Sequence, residues 1–206
     1  MRVAVLGGTG AFGKALAVRL RAADYDVVIG SRDAERARVI AGELGVSGAA
    51  NEDAASSADL IVLATNADGA VETARSLREA IGSTPVMSVA AELRFTKEGV
   101  LPTEERTSIA QRVQDVLDAP VVAGLHSLAA SNLGGEHAPD EDTLVCGDDA
   151  DAKTAALELA GRVTGGRAVD AGPLASARAL EGLTAVIVNV NRRYKAHAGI
   201  RVTGLH

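Results

Sequence analysis

The chain has no tryptophan, two tyrosines and two phenylalanines, so aromatics make up only 2% of its 206 residues. Its core must therefore be packed from Val, Leu, Ile and Ala, and a stacked ligand finds few aromatic platforms. A single cysteine, Cys146, excludes an internal disulfide framework and offers no metal-ligand spacing. There is no basic excess either. The net charge of −6 argues against general binding to nucleic acid, whose phosphates recruit positive surfaces. No apolar run reaches the length of a membrane span, and no signal-peptide core precedes the first strand pattern. We therefore expect a soluble, cytoplasmic protein whose partners are small molecules.

What is there is a globular composition, 47% apolar and 23% charged, in a length that suits one large domain or one domain with a modest extension. Arg2-Val-Ala-Val-Leu6 is a short apolar run that passes directly into Gly7-Gly8-Thr9-Gly10-Ala11-Phe12-Gly13. That order predicts a buried strand, a glycine turn and a helix start. Gly8 is expected to permit the turn, Gly10 to let backbone N–H groups approach a pyrophosphate, and Gly13 to let the helix lie close to the strand. An anion placed there meets unpaired N–H groups and the helix dipole. Gly8, Thr9, Gly10, Ala11, Phe12 and Gly13 are thus candidate dinucleotide-binding residues.

A second run, Tyr25-Asp-Val-Val-Ile29, ends at Gly30-Ser31-Arg32. In a nucleotide-binding βαβ unit this tip faces the adenosine ribose, where NAD sites usually place an Asp or Glu. Here Ser31 and Arg32 stand at the tip, and Arg36 follows one helical turn later. Residues four apart share a helix face, and two guanidinium groups with a hydroxyl suit a 2′-phosphate. We read an NADP(H) site.

Further along, helices are expected over Asp33–Leu44, from Asn51 to Ala58 with Asn51 as cap, and over Val71–Ile81, Glu104–Leu117 and Ala150–Val163. A short helix within Ser127–Leu133 and a long one over Ala175–Ala196, about 33 Å at 1.5 Å per residue, complete the set. Strands are expected at Leu60–Ala64, Val86–Val89, Val121–Leu125, Thr143–Cys146 and Arg167–Asp170; Arg94–Thr103 reads as a loop. The alternation predicts an α/β fold, a Rossmann-type doubly wound, mostly parallel sheet. Residues 1–140 would form the NADP-binding domain and 141–206 a smaller C-terminal α/β part. Its long helix carries an apolar stripe, Leu180, Leu183, Ile187, Val190 and Tyr194, that needs cover, so a homodimer is expected. Strand tips line the cleft in this architecture, which makes Thr65, Asn66, Ser88 and His126 candidates, His126 as an orienting hydrogen-bond donor. Asp148 and Asp149 read as helix caps, and Cys146 as a buried, inert thiol.

The sequence resembles the NADPH-dependent reductases of the deazaflavin coenzyme F420. The likeness lies in Met1–Gly10, Gly30-Ser-Arg32, Asn51-Glu-Asp53, Cys146-Gly-Asp-Asp149, Asp170-Ala-Gly-Pro-Leu174, Glu181-Gly-Leu-Thr184 with Asn189, and Asn191–Ile200. It implies reversible hydride transfer between NADP(H) and coenzyme F420, with Thr9, Ser31, Arg32 and Arg36 on the 2′-phosphate. It further implies ring contacts from Ser88 to Ala91, from His126 through Leu128 to Ala130, and near Ala198–Ile200. Arg192, Arg193 or Lys195 could meet the anionic tail. Two family features are missing, a Pro-aromatic pair near Ala64–Ala67 and a Pro near Ala91, where this chain has Glu92. Two other readings fit the same scaffold: an NADPH-dependent imine-type reductase with Glu92 facing a cationic group, and a non-catalytic NADP sensor.

Overall fold

The computed structural model describes residues 1–205. β1 (Arg2–Leu6) leads into α1 (Ala11–Ala22), β2 (Asp26–Ser31), α2 (Ala34–Leu44), β3 (Ser47–Ala50) and α3 (Asn51–Ser56). The chain then crosses back through β4 (Leu60–Leu63), α4 (Ala67–Ser76), α5 (Arg78–Ile81) and β5 (Val86–Ser88). A hairpin, β6 (Leu93–Phe95) and β7 (Val100–Pro102), precedes α6 (Ile109–Gln114), β8 (Val121–Gly124) and α7 (Ala130–Leu133). β9 (Thr143–Gly147), α8 (Ala150–Val163), β10 (Ala168–Asp170), a 3-10 turn at Leu174–Ser176 and α9 (Ala177–Tyr194) finish the fold.

Eight strands make one sheet in the order β10-β9-β8-β5-β4-β1-β2-β3. All neighbouring pairs are parallel except β8 with β9. From β1 the chain runs outward to β3 and then returns to β4 on the other side, so the crevice for a ligand opens between the tips of β1 and β4. Because side chains alternate across a strand, each face has its own core. Val3 and Val5 pack with Leu16 and Leu20 of α1, and Leu159 of α8 lies in the same cluster. Ala4 and Leu6 join Ile61, Leu63 and the buried sides of α4, α6 and α9. Both faces being covered explains the continuous apolar character of Leu60–Leu63.

The doubly wound α/β sheet is as expected, with several local differences. The residues 47–50, Ser-Gly-Ala-Ala, carry little strand signal, yet they form the edge strand β3. Gly48 lies so close to α2 that a Cβ there would stand 2.4 Å from the Ala37 carbonyl oxygen. Arg94–Thr103 is not an unstructured loop but the β6–β7 hairpin, registered Leu93 to Pro102 and Phe95 to Val100. The helix expected over 104–117 shrinks to α6, started by a Ser108–Gln111 capping box. The one expected over 71–81 starts earlier and divides into α4 and α5. Asn51 does not cap α3: Ala50 holds the cap position without a side-chain bond. β8 and β9, on either side of residue 140, are hydrogen-bonded neighbours in the one sheet.

Candidate active site

Gly7, not Gly8, takes the left-handed conformation at the glycine turn, with φ of 86°. A Cβ on Gly8 would instead stand 2.5 Å from the Ile29 Cβ, and one on Gly13 would stand 2.6 Å from the Gly7 carbonyl oxygen. These contacts press α1 against β1 and β2, so that its N-terminus opens onto the crevice. Gly10 is the N-cap, extended and without a side-chain cap. The first N–H groups of a twelve-residue helix are therefore free to receive an anion.

A cavity of about 650 Å³ runs from this point past Ser31, Arg32 and Arg36. Arg38 is spent on Glu35 at 3.2 Å, whereas Arg32 and Arg36 have no carboxylate within ion-pair distance among the described residues. Asp33 also lines the cavity, a carboxylate beside an expected phosphate site. Its Oδ1 accepts from the Arg36 backbone N–H at 3.0 Å, capping α2, so its charge is directed at a helix N-terminus. Asn51, which failed as a cap, lines the same cavity, and its Oδ1 has no partner among the described residues.

At the other end this space meets a second cavity of about 410 Å³. The two share Ala64, Thr65, Asn66 and Asp68. Val89, Leu93, Leu125 and Leu128 supply apolar walls to the second, with Phe12, Ala91, Phe95 and His126 around them. His126 is buried, and burial lowers its pKa to about 4. At neutral pH the ring is uncharged. Its Nε2 lies 3.2 Å from the Ala90 carbonyl oxygen, which as an acceptor fixes the proton on Nε2. Nδ1 is then a buried acceptor with no partner among the described residues. The His126 carbonyl in turn accepts from Thr184 Oγ1 of α9 at 2.9 Å. Glu92 reaches this cavity too, but its Oε2 accepts from Arg112 Nη2 at 2.8 Å and Thr103 Oγ1 at 3.2 Å. Its charge is answered from within the protein.

The family described as coenzyme F420-dependent NADP oxidoreductase matches residues 2–92. Over all of this chain the F420-dependent NADP reductase of Methanothermobacter thermautotrophicus is 36% identical, with 96% of that protein covered. The enzyme of the same name from Methanocaldococcus jannaschii is 34% identical, with 100% of this chain and 99% of that one aligned. This chain belongs to the F420-dependent NADP oxidoreductase family. A crystal structure from Arthrobacter sp. FB24, of a chain proposed as an F420-dependent NADP reductase, superposes with a TM-score of 0.87 at 24% identity over 99% of this chain and all of that one; at that identity it speaks for the fold.

Within this family member, Thr9, Gly10, Ser31, Arg32, Arg36, Thr65 and Asn66 come together at the first cavity. Phe12, Ala91, His126 and Leu128 gather at the second, where Thr65 and Asn66 recur. Gly8, Ala11, Gly13 and Ala130 line neither. Gly8 and Gly13 shape the turn from behind, and Ala130 opens α7. Ser88 lines neither cavity; it is fully buried, its Oγ without a partner among the described residues. The segment 198–200 lines neither cavity: the Asp142 N–H donates to the Ile200 carbonyl at 2.8 Å, and Gly199 packs on Glu141. Sequence reasoning missed Asp33 and Thr184 as site residues. The helix start after Arg32 was the available signal for Asp33; for Thr184, half-buried on α9, the one signal was the Glu181–Thr184 segment of the resemblance. Cys146 and Asp149 behave as expected. Burial pushes the thiol up to about 11, and Asp149 caps α8 through the Ala152 N–H at 2.8 Å.

Proposed function

We propose that this chain transfers hydride reversibly between NADP(H) and the deazaflavin coenzyme F420, as the names of its relatives suggest. One observation carries the reading. A cavity with free guanidinium groups and open helix N–H groups runs into a second, largely apolar one, and they share the Ala64–Asn66 strand tip. The residues fit the cofactor. The N–H groups of α1 would hold the pyrophosphate, with Arg32, Arg36 and Ser31 on the 2′-phosphate. The second space lies within the size range of small-molecule sites. When bound, the two cofactors supply the hydride chemistry between the nicotinamide and the deazaflavin ring. The chain's own work is alignment and exclusion of water. Thr65 and Asn66 would position the ring meeting point, while the apolar walls from Val89, Leu125 and Leu128 keep it dry. Neutral His126 holds the Ala90 turn and offers Nδ1 as an acceptor, so its part is orientation rather than proton donation.

The imine-type alternative relied on a free Glu92, and its pairing with Arg112 removes that support. We further propose a cytoplasmic homodimer built on α9. To test the activity, purified protein is mixed with reduced F420 and NADP, with reduced flavin mononucleotide or NAD substituted in turn. Turnover with deazaflavin and NADP alone is the expected result. Equal turnover with the flavin would overturn the substrate assignment, and NADP binding without any turnover would point to a sensor.

A further inference from the structure

Asn51 opens α3 without capping it. Its side chain lines the first cavity, and its Oδ1 is buried with no partner among the described residues. An unpaired buried amide oxygen costs free energy, so a ligand that answered the amide would be favoured there. The position is well fixed. Ala50, the residue before it, is the registered partner of Ser31 at the tip of β2. A Cβ on Gly30 would stand 2.8 Å from Asn51 Oδ1, so the absence of a side chain at Gly30 lets the amide lie against that strand. The helices flanking the tip belong to opposite faces of the sheet. Ala41 of α2 packs in the cluster of α1, whereas Ala54 and Ala55 of α3 pack with Ala70 and Ala74 of α4 in the other. Arg36 therefore reaches the cavity from one side of the β2 tip, and Asn51, Gly69 and Thr73 reach it from the other. Of the residues lining that second side only Asp68 is charged, and it lies where the two cavities join.

We propose that Asn51 binds the adenosine ribose of the dinucleotide through its 3′-hydroxyl, an assignment that rests on the NADP(H) reading above. A 2′-phosphate held by Ser31 and Arg32 brings its own ribose to the tip of β2, and the 3′-hydroxyl stands on the neighbouring carbon. With the 2′ oxygen esterified, that hydroxyl is the ribose group still able to donate. An amide suits it, because a hydroxyl both donates and accepts and either end of the amide can answer. The carboxylate that serves a ribose in NAD sites would repel the adjacent phosphate. Asn51 offers hydrogen bonding without that charge.

Calorimetric titration with adenosine 2′,5′-bisphosphate and with its 3′-deoxy analogue tests the contact without any turnover. In wild type, loss of the 3′-hydroxyl should weaken binding about fivefold, the worth of one neutral hydrogen bond. Asn51→Ala should bind the bisphosphate about fivefold more weakly than wild type, and removal of the hydroxyl should then change nothing further, the non-additivity of two groups in contact. In Arg32→Ala the penalty for the missing hydroxyl should persist, since that residue meets the phosphate. Asn51→Asp should bind the bisphosphate more weakly still than Asn51→Ala, through repulsion of the phosphate. Without ligand, Asn51→Ala should melt at the wild-type temperature. No penalty for the 3′-deoxy analogue in wild type, or an equal penalty in wild type and Asn51→Ala, overturns the ribose contact alone. Failure of wild type to bind either the bisphosphate or NADP overturns the NADP(H) reading and this assignment with it.

Discussion

Arg32 stands at the tip of β2 with its charge unanswered by any carboxylate of the described fold, and Asp33 beside it is occupied as a cap. A 2′-phosphate would find that charge available, whereas a 2′-hydroxyl would gain little from it. Arg32→Ala should therefore weaken NADP by about 1.5–3 kcal/mol, the worth of a hydrogen bond to a charged group, with NAD changed far less. Titration of both dinucleotides checks this, and an equal loss for the two would count against the assignment. Glu181 gives a second prediction at this scale. It is 1% exposed, and burial pushes its pKa up to about 7, against the pull of hydrogen bonds from the Ala110 and Ile109 N–H groups. A folded-state pKa above the unfolded one means that the folded protein holds the proton more tightly. Stability contributed by the protonated form is complete below the ordinary carboxylate range and is lost as pH rises from there to about 7. Glu181→Gln keeps an acceptor for α6 and removes the titration. Its melting temperature should exceed that of wild type above pH 7, by an amount corresponding to about 2 kcal/mol, and the gap should close near pH 4. A gap that stayed constant across pH would refute the ionisation argument.

Elements were legible wherever their signal is local. The glycine turn, Arg32 and Arg36 lie within one βαβ unit, and periodicity or continuous apolar character marked α8 and most of the strands. The hairpin was not legible, because three-residue strands such as Leu93–Phe95 carry too short a pattern and are fixed instead by a helix about ninety residues on. Nor could spacing reveal that Glu92 would meet Arg112, or that His126 would meet Ala90. A charged or polar residue shows its chemistry in sequence, but its partner is set by the fold. Asn189 accepts from the Val100 N–H at 2.8 Å and donates to its carbonyl at 2.6 Å, which makes this testable. Asn189→Ala leaves the Val100 N–H and carbonyl without their partners in a half-buried place. It should cost about 1–3 kcal/mol in chemical denaturation and raise KM for the deazaflavin more than for NADP. If stability were unchanged, the hairpin would have to be held by other contacts.

At the scale of the whole molecule, the described residues leave one face of the longest helix uncovered. α9 has eighteen residues, about 27 Å at 1.5 Å per residue, and it buries Leu180, Glu181, Ala185 and Ile187 against the sheet and α6. On another side Val186 is 55% exposed and Tyr194 71%, with Leu183 and Val190 half-buried between them. This corrects the expected stripe: Leu180 and Ile187 face the chain's own core, while Leu183, Val190 and Tyr194 belong with Val186 on the outer side. Such a row, continuous over more than two turns, is what a two-fold partner helix would cover. It lies about a third of a turn or more from Arg192, whose guanidinium lies over the Phe95 ring at the second cavity, so pairing through it would leave that cavity open. A single buried charge at its centre should be decisive, since an unpaired carboxylate cannot be taken out of water cheaply. Val186→Asp is expected to sediment as a monomer at concentrations where wild type sediments as a dimer. Its helical circular dichroism and its NADP affinity should match wild type, because Val186 touches neither the core nor the crevice. A wild-type protein that stayed monomeric throughout the micromolar range would remove the dimer, and the exposed row would then need a different partner.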